Sequence, residues 1–138
     1  MITSYDFDLK YADGSLIKVT SKYHPGVRFV GEEGEILVTR ERIEASHPSI
    51  LKDPIPSNGI HLYESPEHHR NFLDCVRSRK ETICPAEVGH RSISAGLLGE
   101  IAIYTGRTLK WNPDSEEIVG DSVASSLLSR SMREPWVL

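Results

Sequence analysis

Residues 65–111 read SPEHHRNFLDCVRSRKETICPAEVGHRSISAGLLGEIAIYTGRTLKW, and this stretch decides the fold class. Ser65 followed by Pro66 is typical of a helix start, because serine caps free N–H groups and proline is tolerated at the first helical position. A second helix is predicted after Pro85, ending at Gly106, a residue type that suits the left-handed conformation beyond a helix. The stretch therefore predicts two helices separated by a short connector.

Apolar side chains recur at spacings of three and four in both predicted helices, which indicates one inward face on each. The first helix places Phe72, Cys75 and Val76 on one face, with Arg79 beside them. The predicted inward face of the second helix consists of Ile93, Leu97, Ile101 and Tyr104, flanked by Leu98 and Ala102.

Residues 1–46 alternate between apolar and polar side chains, a pattern typical of half-buried strands. Asp13 and Gly14 tolerate the positive φ angles of a tight hairpin, so the strands on either side are expected to pair antiparallel. Further turn signals divide this segment into a meander of four or five strands. The predicted strands are 3–11, 17–20, 27–31, 35–39 and 42–45.

Residues 47–64 are expected to form an ordered crossing loop, because three prolines and the Asn58-Gly59 pair prevent a long regular element. Beyond the second helix, the pattern predicts strands at 108–111 and 117–119. A short helix capped by Asp121 and running through Leu128 follows.

These elements predict an α+β fold with an open, mostly antiparallel sheet and two main helices packed on one face. We expect one domain over residues 1–138, composed of a meander (1–46), a crossing loop (47–64) and a helical part with short strands and a tail (65–138). Because two or three helices can cover only one face of such a sheet, the other face is either solvated or in contact with a partner.

The composition is that of an ordinary globular protein, with 38% hydrophobic and 26% charged residues in 138. A net charge of −4 provides no basic surface for nucleic acid. No apolar run approaches the roughly 20 residues that cross a bilayer, and the N-terminal sequence lacks the features of a signal peptide. We therefore expect a cytoplasmic chain without nucleic-acid or membrane partners.

The histidines do not form a metal motif. His68 and His69 are adjacent, so on a helix they point about 100° apart and are poorly placed to share an ion. His61 and His90 have no carboxylate at a metal-motif spacing, and no metal site is predicted. Beside Arg91, His90 is the better candidate for a polar role, for which we expect a buried hydrogen bond to a loop.

No catalytic or cofactor-binding residue can be assigned from the residue types. The acidic residues mostly fall in turns or on polar strand faces, and no nucleophile elbow G-x-S-x-G occurs. Cys84 precedes a proline in the connector, while Cys75 is expected to be a small core residue. The chain also lacks the G-x-G-x-x-G turn that binds a dinucleotide pyrophosphate.

Several motifs in order nevertheless resemble one family. They are the F-x-G-x-x-G-x-I hairpin at 29–36, H-H-R-N-F-L-D-C-V at 68–76, C-P-A-E-x-G-H-R-S at 84–92, and L-G-E-I-A-I followed by G-R-x-L-x-W at 98–111. With the R-x-P-W tail at 133–136, they resemble the C-terminal part of the Gfo/Idh/MocA oxidoreductases, the family of glucose-fructose oxidoreductase and inositol dehydrogenase. The resemblance covers nearly the whole chain.

The resemblance implies that cofactor binding and substrate binding involve two different domains. Members of that family bind NAD or NADP in an N-terminal Rossmann domain, which carries a catalytic lysine in an E-K-P motif. Their C-terminal domain shapes the substrate site with an open sheet and commonly builds the oligomer. This chain has neither motif and lacks the Asp/His pair of the helix that usually opens the C-terminal half, so no catalytic residue is carried over.

We therefore expect the substrate-side and oligomerisation domain of an NAD(P)-dependent sugar or polyol oxidoreductase, inactive in isolation and lacking its Rossmann domain. Homo-oligomers are expected through the open sheet face. His68, His69 and His90 are candidate substrate contacts, because the first turns of helices present free backbone donors. Two alternatives stay open: a stand-alone, non-enzymatic self-association or binding module, and a small metal-dependent lyase built on His61, His68 and His90.

Overall fold

A computed structural model describes residues 4–52, 54–61 and 63–136. In these residues the elements follow in the order β1 (Asp6–Lys10), β2 (Leu16–Thr20), β3 (Val27–Val30), β4 (Glu35–Val38), β5 (Ile43–Ala45), α1 (Pro48–Lys52), α2 (His68–Ser78), α3 (Ala86–Thr105), β6 (Trp111–Asn112), β7 (Glu117–Ile118) and α4 (Ser122–Ser125). None of these helices has the length and apolar character that crossing a bilayer requires.

The α+β class is confirmed, because helices and antiparallel strands in open sheets share the chain. The strands of the described ranges belong to three antiparallel sheets, namely β1–β2, β3–β4–β5 and β6–β7, where one sheet was expected. All the predicted strands are present, although most are shorter than expected. Thr3, in the first predicted strand, lies outside the described residues.

Contacts divide the chain into two units. The first unit contains residues 4–20 and 84–136, and the second contains the described residues of 21–83. Their boundaries fall inside the predicted segments 1–46 and 65–138, because β1 and β2 group with α3.

In the first unit, β1 and β2 form the predicted antiparallel hairpin, in which Phe7 pairs with Val19. Gly14 adopts φ +90° in the turn, and the Asp13 carboxylate accepts the backbone N–H of Ser15 at 2.8 Å. This backbone hydrogen bond holds the pKa of Asp13 below its usual value. The local signals therefore placed this hairpin correctly.

Helix α3 has the predicted limits, and Gly106 follows it in the left-handed conformation. Its inward face differs from the expected one, because Ile93, Leu97 and Tyr104 are exposed while Gly99 and Ile101 are buried. Gly99 lies against the ring of Phe7 in β1. The missing side chain at this position lets the helix approach the strand closely, which turns this side of α3 inward.

The core of the first unit lies at the C-terminal end of α3. Ile101 packs with Ile118 of β7, which is 4% exposed, and with the fully buried Ala124 of α4. Asp121 caps α4 as predicted, accepting the N–H of Ala124 at 3.0 Å, but the helix ends before Leu128. Partly buried hydrophobic residues around this core are Leu98, Leu109 and Trp111.

In the second unit, strand pairing gives one sheet a consistently apolar face. Phe29 pairs with Ile36, and Val38 pairs with both Val27 and Ile43. Directly paired residues share a face of a sheet, so these side chains and their neighbour Ala45 lie together. We name Val27, Phe29, Ile36, Val38, Ile43 and Ala45 the apolar sheet face. The opposite face carries the Arg28–Glu35 ion pair at 3.2 Å.

The crossing loop contains a short helix that was not predicted, α1, which begins at Pro48 as proline allows. A tight turn follows, in which the N–H of Gly59 donates to the carbonyl of Pro56 at 2.7 Å. Residues 53 and 62 of the loop lie outside the described part of the chain.

Helix α2 begins later than predicted and turns a different side inward. Its N-cap is Glu67 and not Ser65, because the Glu67 carboxylate reaches the free N–H groups of the first turn. Of the predicted inward side chains only Cys75 is buried, and its thiol donates to the carbonyl of Glu81 at 3.2 Å. Phe72 is exposed, while the polar Asn71 is buried. Polar contacts therefore anchor this helix where an apolar face was expected.

Candidate functional site

The first turn of α2 gathers a carboxylate and two imidazoles. Glu67 accepts the backbone N–H groups of His69 at 3.0 Å and Arg70 at 2.6 Å. These bonds, that of Arg70 first, hold the pKa of Glu67 below its usual value, so it is ionised at neutral pH. His69 Nδ1 lies 3.0 Å from Glu67 Oε1, and the ring centroids of His68 and His69 are 4.0 Å apart.

A cleft of about 200 Å³ opens beside this turn. Asn71 forms its base: the side-chain carbonyl accepts the N–H of Ile83 at 3.0 Å, and the amide donates to the hydroxyl of Tyr63. Asn71 thereby joins the helix to the segments before and after it. The residues lining the cleft are Tyr63, Glu64, Ser65, Pro66, Glu67, Arg70, Asn71 and Asp74.

Charges of both signs line the cleft. The guanidinium of Arg70 donates to Asp74 at 2.9 Å, one helical turn along, and this hydrogen bond raises the pKa of Arg70. A wall of hydroxyl, amide, carboxylate and guanidinium groups is suited to hydrogen bonding with a hydroxyl-rich ligand. The described residues that line the cleft include no cysteine and no Ser/His pair that would indicate covalent catalysis.

In the other unit, the first turns of α3 hold a second polar cluster. His90 Nε2 lies 2.8 Å from Glu116 Oε1 in the turn between β6 and β7. Arg91 contacts the same oxygen at 3.2 Å, and it also donates to the carbonyl of Pro113 at 2.7 Å and to Glu87 at 2.8 Å. The expected hydrogen bond from His90 to a loop is present, but it lies at the surface and is not buried.

Glu116 is held in an unusual backbone conformation, with φ +54° in a non-glycine residue. The hydrogen bond from His90 is the largest of the causes that lower the pKa of its carboxyl group. Because an ionised carboxylate only accepts, His90 Nε2 carries a proton and donates it to Glu116. The pair therefore presents an imidazole held in place, whose second nitrogen could form a hydrogen bond with a ligand hydroxyl.

The structure brings His68 and His69 together and places His90 with Glu116 in the other unit. His61 Nε2 lies 2.9 Å from the carbonyl of Pro56. Sequence reasoning missed Glu67, Asn71 and Glu116 as site residues. Only Glu67 had a local signal, because a carboxylate is favoured near the N-terminus of a helix.

Comparison with known proteins gives one family. Residues 5–138 match a family model described as "Oxidoreductase family, C-terminal alpha/beta domain". The match covers nearly the whole chain, including both polar clusters. No curated protein and no solved structure matches the chain.

Proposed function

We propose a function for this chain that starts from its membership of the Gfo/Idh/MocA oxidoreductase family. In this proposal the chain forms the substrate-side and oligomerisation domain of an NAD(P)-dependent sugar or polyol oxidoreductase. The match over residues 5–138 is the observation that carries this proposal. The 138 residues contain neither G-x-G-x-x-G nor E-K-P. In this proposal the NAD or NADP site and the catalytic lysine therefore belong to a separate Rossmann domain of the enzyme. The chain alone is then inactive.

The polar cleft beside α2 supports the sugar or polyol part of the proposal. Tyr63, Arg70 and Asn71 offer hydroxyl, guanidinium and amide groups in one concave surface. Such groups bind hydroxyls through paired donor and acceptor contacts. In this proposal His68 and His69, at the start of α2, contribute polar contacts to substrate. His90, held by Glu116 in the other unit, is a separate candidate for such a contact.

The apolar sheet face supports the oligomerisation part. Phe29, in the centre of edge strand β3, is 59% exposed, and Val27 and Ile43 are exposed on the same face. Exposed apolar patches on a sheet mark interaction surfaces. The interface was expected on the open face of the sheet, and the proposal now assigns it to the apolar sheet face.

Exposed apolar residues on α2 and α3, among them Phe72 and Leu97, support contact with the cofactor-binding domain. The proposal includes a cytoplasmic location, with which the lack of a disulfide at Cys75 and Cys84 is compatible.

The test uses the 138-residue chain with two kinds of ligand. Calorimetric titration with NADH and NADPH is expected to give no saturable binding, and the chain is expected to oxidise no sugar. Titration with inositol and glucose, followed by amide NMR, is expected to shift the signals of Asn71 and Arg70 at the cleft. Arg70→Gln is expected to weaken those shifts, whereas Arg42→Gln, which alters an exposed ion pair with Glu44, leaves them unchanged.

Two results would contradict the proposal in different ways. Tight binding of NAD(H), or turnover by the chain alone, would refute its inactivity in isolation. No polyol-dependent shift in the cleft would refute the substrate-side role. It would favour the alternative of a stand-alone, non-enzymatic self-association or binding module, which requires no polyol site.

A further inference from the structure

We propose that Glu67, His68 and His69 form a surface site for a divalent transition metal such as Zn²⁺. The inference rests on the geometry of the first turn of α2 and is independent of the proposed oxidoreductase function. Each of the three residues offers one ligand atom, and these atoms lie within 4.8 Å of one another. Imidazole nitrogen and carboxylate oxygen are common ligands of zinc.

The measured separations suit a shared ion. Zinc binds nitrogen and oxygen at about 2.0–2.2 Å in a tetrahedral arrangement, so two of its ligand atoms lie roughly 3.4 Å apart. His69 Nδ1 and Glu67 Oε1 are 3.0 Å apart. An ion can therefore bridge these two atoms once they move apart by roughly 0.4 Å, which the exposed side chains allow.

His68 completes the set because of its position in the helix. Adjacent residues inside a helix diverge by about 100°, which is why the sequence predicted no metal here. His68 and His69 are the first two helical residues, and their rings lie 4.0 Å apart at an interplanar angle of 36°. Rotation of the exposed His68 ring is enough to turn a nitrogen towards the ion.

The carboxylate is already oriented for coordination. Backbone N–H groups of His69 and Arg70 hold both oxygens of Glu67 in place. Each oxygen has more than one lone pair, so Oε1 can bind a metal and keep its backbone contact. The helix cap already restricts the Glu67 side chain, so metal binding loses little further conformational entropy.

Coordination changes the tautomer of His69 without any redox step. In the present state Nδ1–H donates to Glu67, and metal binding requires the tautomer with its proton on Nε2. The His69 side chain is 79% exposed, so Nε2–H can donate to water. The positive end of the helix dipole opposes a bound cation, while the pairing of Arg70 with Asp74 offsets the nearest guanidinium charge.

The experiment titrates the untagged 138-residue chain with Zn²⁺ by calorimetry and by NMR of the histidine rings. We expect one equivalent to bind, with shifts confined to His68 and His69. Mg²⁺ is the comparison ion, because it prefers oxygen ligands, and it is expected not to bind. Glu67→Gln keeps an oxygen that can cap the helix but removes the charge, and we expect about tenfold weaker binding.

The matched histidine variants decide the assignment. His69→Gln is expected to weaken Zn²⁺ binding about tenfold or more, whereas His24→Gln, at an exposed histidine elsewhere in the chain, leaves it unchanged. Circular dichroism checks that each variant keeps the helix content of the parent chain. Absence of Zn²⁺ binding, equal binding of Mg²⁺, or unchanged affinity in the double variant His68→Gln/His69→Gln would each overturn the proposal.

Discussion

Glu116 links the turn between β6 and β7 to the start of α3 through a single carboxylate. His90 lies 2.8 Å from one oxygen of this group, and Arg91 lies 3.2 Å from the same oxygen. Both contacts favour the ionised carboxylate, and that of His90 contributes most to lowering its pKa. The strength of this link therefore depends on pH.

We expect the link to stabilise the fold above the ordinary glutamate pKa of 4.5 and to be lost as the pH falls through the lower pKa of the folded chain. Replacing His90 by alanine removes the main cause of the shift, so the pKa of Glu116 should rise towards its usual value. NMR titration of the Glu116 carboxyl group in the parent chain and in His90→Ala measures this directly.

Asp13 provides the internal control for that titration. Its pKa is lowered by hydrogen bonds from Ser15 in the β1–β2 turn, which His90 does not enter. The Asp13 titration should therefore be identical in both chains. An unchanged Glu116 pKa in His90→Ala would contradict the role assigned to His90.

The histidines in the first turns of α2 and α3 show which contacts can be predicted from local sequence and which cannot. His90, beside Arg91, was singled out as polar, and its partner is indeed in a loop. The partner itself, Glu116, could not be predicted, because it is 26 residues away and is brought to α3 by the β6–β7 hairpin. His68 and His69 were expected to point apart, and their position at the helix start allows the rings to meet.

Helix α3 packs against β1 through a glycine. A Cβ atom built at Gly99 would overlap the ring of Phe7, whereas one built at Gly96 has no described residue outside its own stretch of helix within 4 Å. The two glycines lie three residues apart in the same helix, so their helix propensities are comparable. Replacing each of them by alanine therefore separates the effect of packing against β1 from the effect on the helix backbone.

We expect Gly99→Ala to lower the free energy of unfolding by about 1–3 kcal/mol, because the strand must move to admit the methyl group. Gly96→Ala should raise it by about 0.5–1 kcal/mol, since alanine restricts the unfolded chain and favours the helix. Urea denaturation followed by circular dichroism measures both. If Gly99→Ala were as stable as Gly96→Ala, the close approach of α3 to β1 would be refuted.

The limits of elements were predicted better than their orientation. The β1–β2 hairpin and both ends of α3 follow from Asp13-Gly14, Pro85 and Gly106, which act on neighbouring residues. The inward faces of α2 and α3 were largely wrong. Asn71 and Gly99 lie on the inward sides of their helices because they contact residues elsewhere in the chain. A prediction from the spacing of apolar residues cannot identify such positions, because asparagine and glycine are not counted as apolar.

The apolar sheet face predicts that copies of the whole chain associate with one another. Phe29 and Val30 are neighbours in β3 whose side chains point to opposite faces of the sheet. Both are exposed, at 59% and 71% respectively. A lysine at either position introduces the same charge in the same strand, and only one of them disturbs the apolar sheet face.

We expect the parent chain to form dimers or larger homo-oligomers in light scattering. Phe29→Lys should weaken association at least about tenfold, because an aromatic residue at the centre of an interface contributes strongly to binding. Val30→Lys should leave association unchanged, since its side chain lies beside Glu35 on the opposite face. A monomeric parent chain, or equal weakening by both variants, would contradict an interface on the apolar sheet face.

The α+β class, the family, the presence of the strands and the limits of α3 were readable from the sequence, because turn residues, caps and alternation act over a few neighbouring positions. The pairing of His90 with Glu116, the anchoring of α2 through Asn71 and the apolar sheet face appeared only in the folded chain. These features depend on contacts between residues far apart in sequence. Packing selects such contacts by shape and by hydrogen-bond partners, which local patterns do not encode.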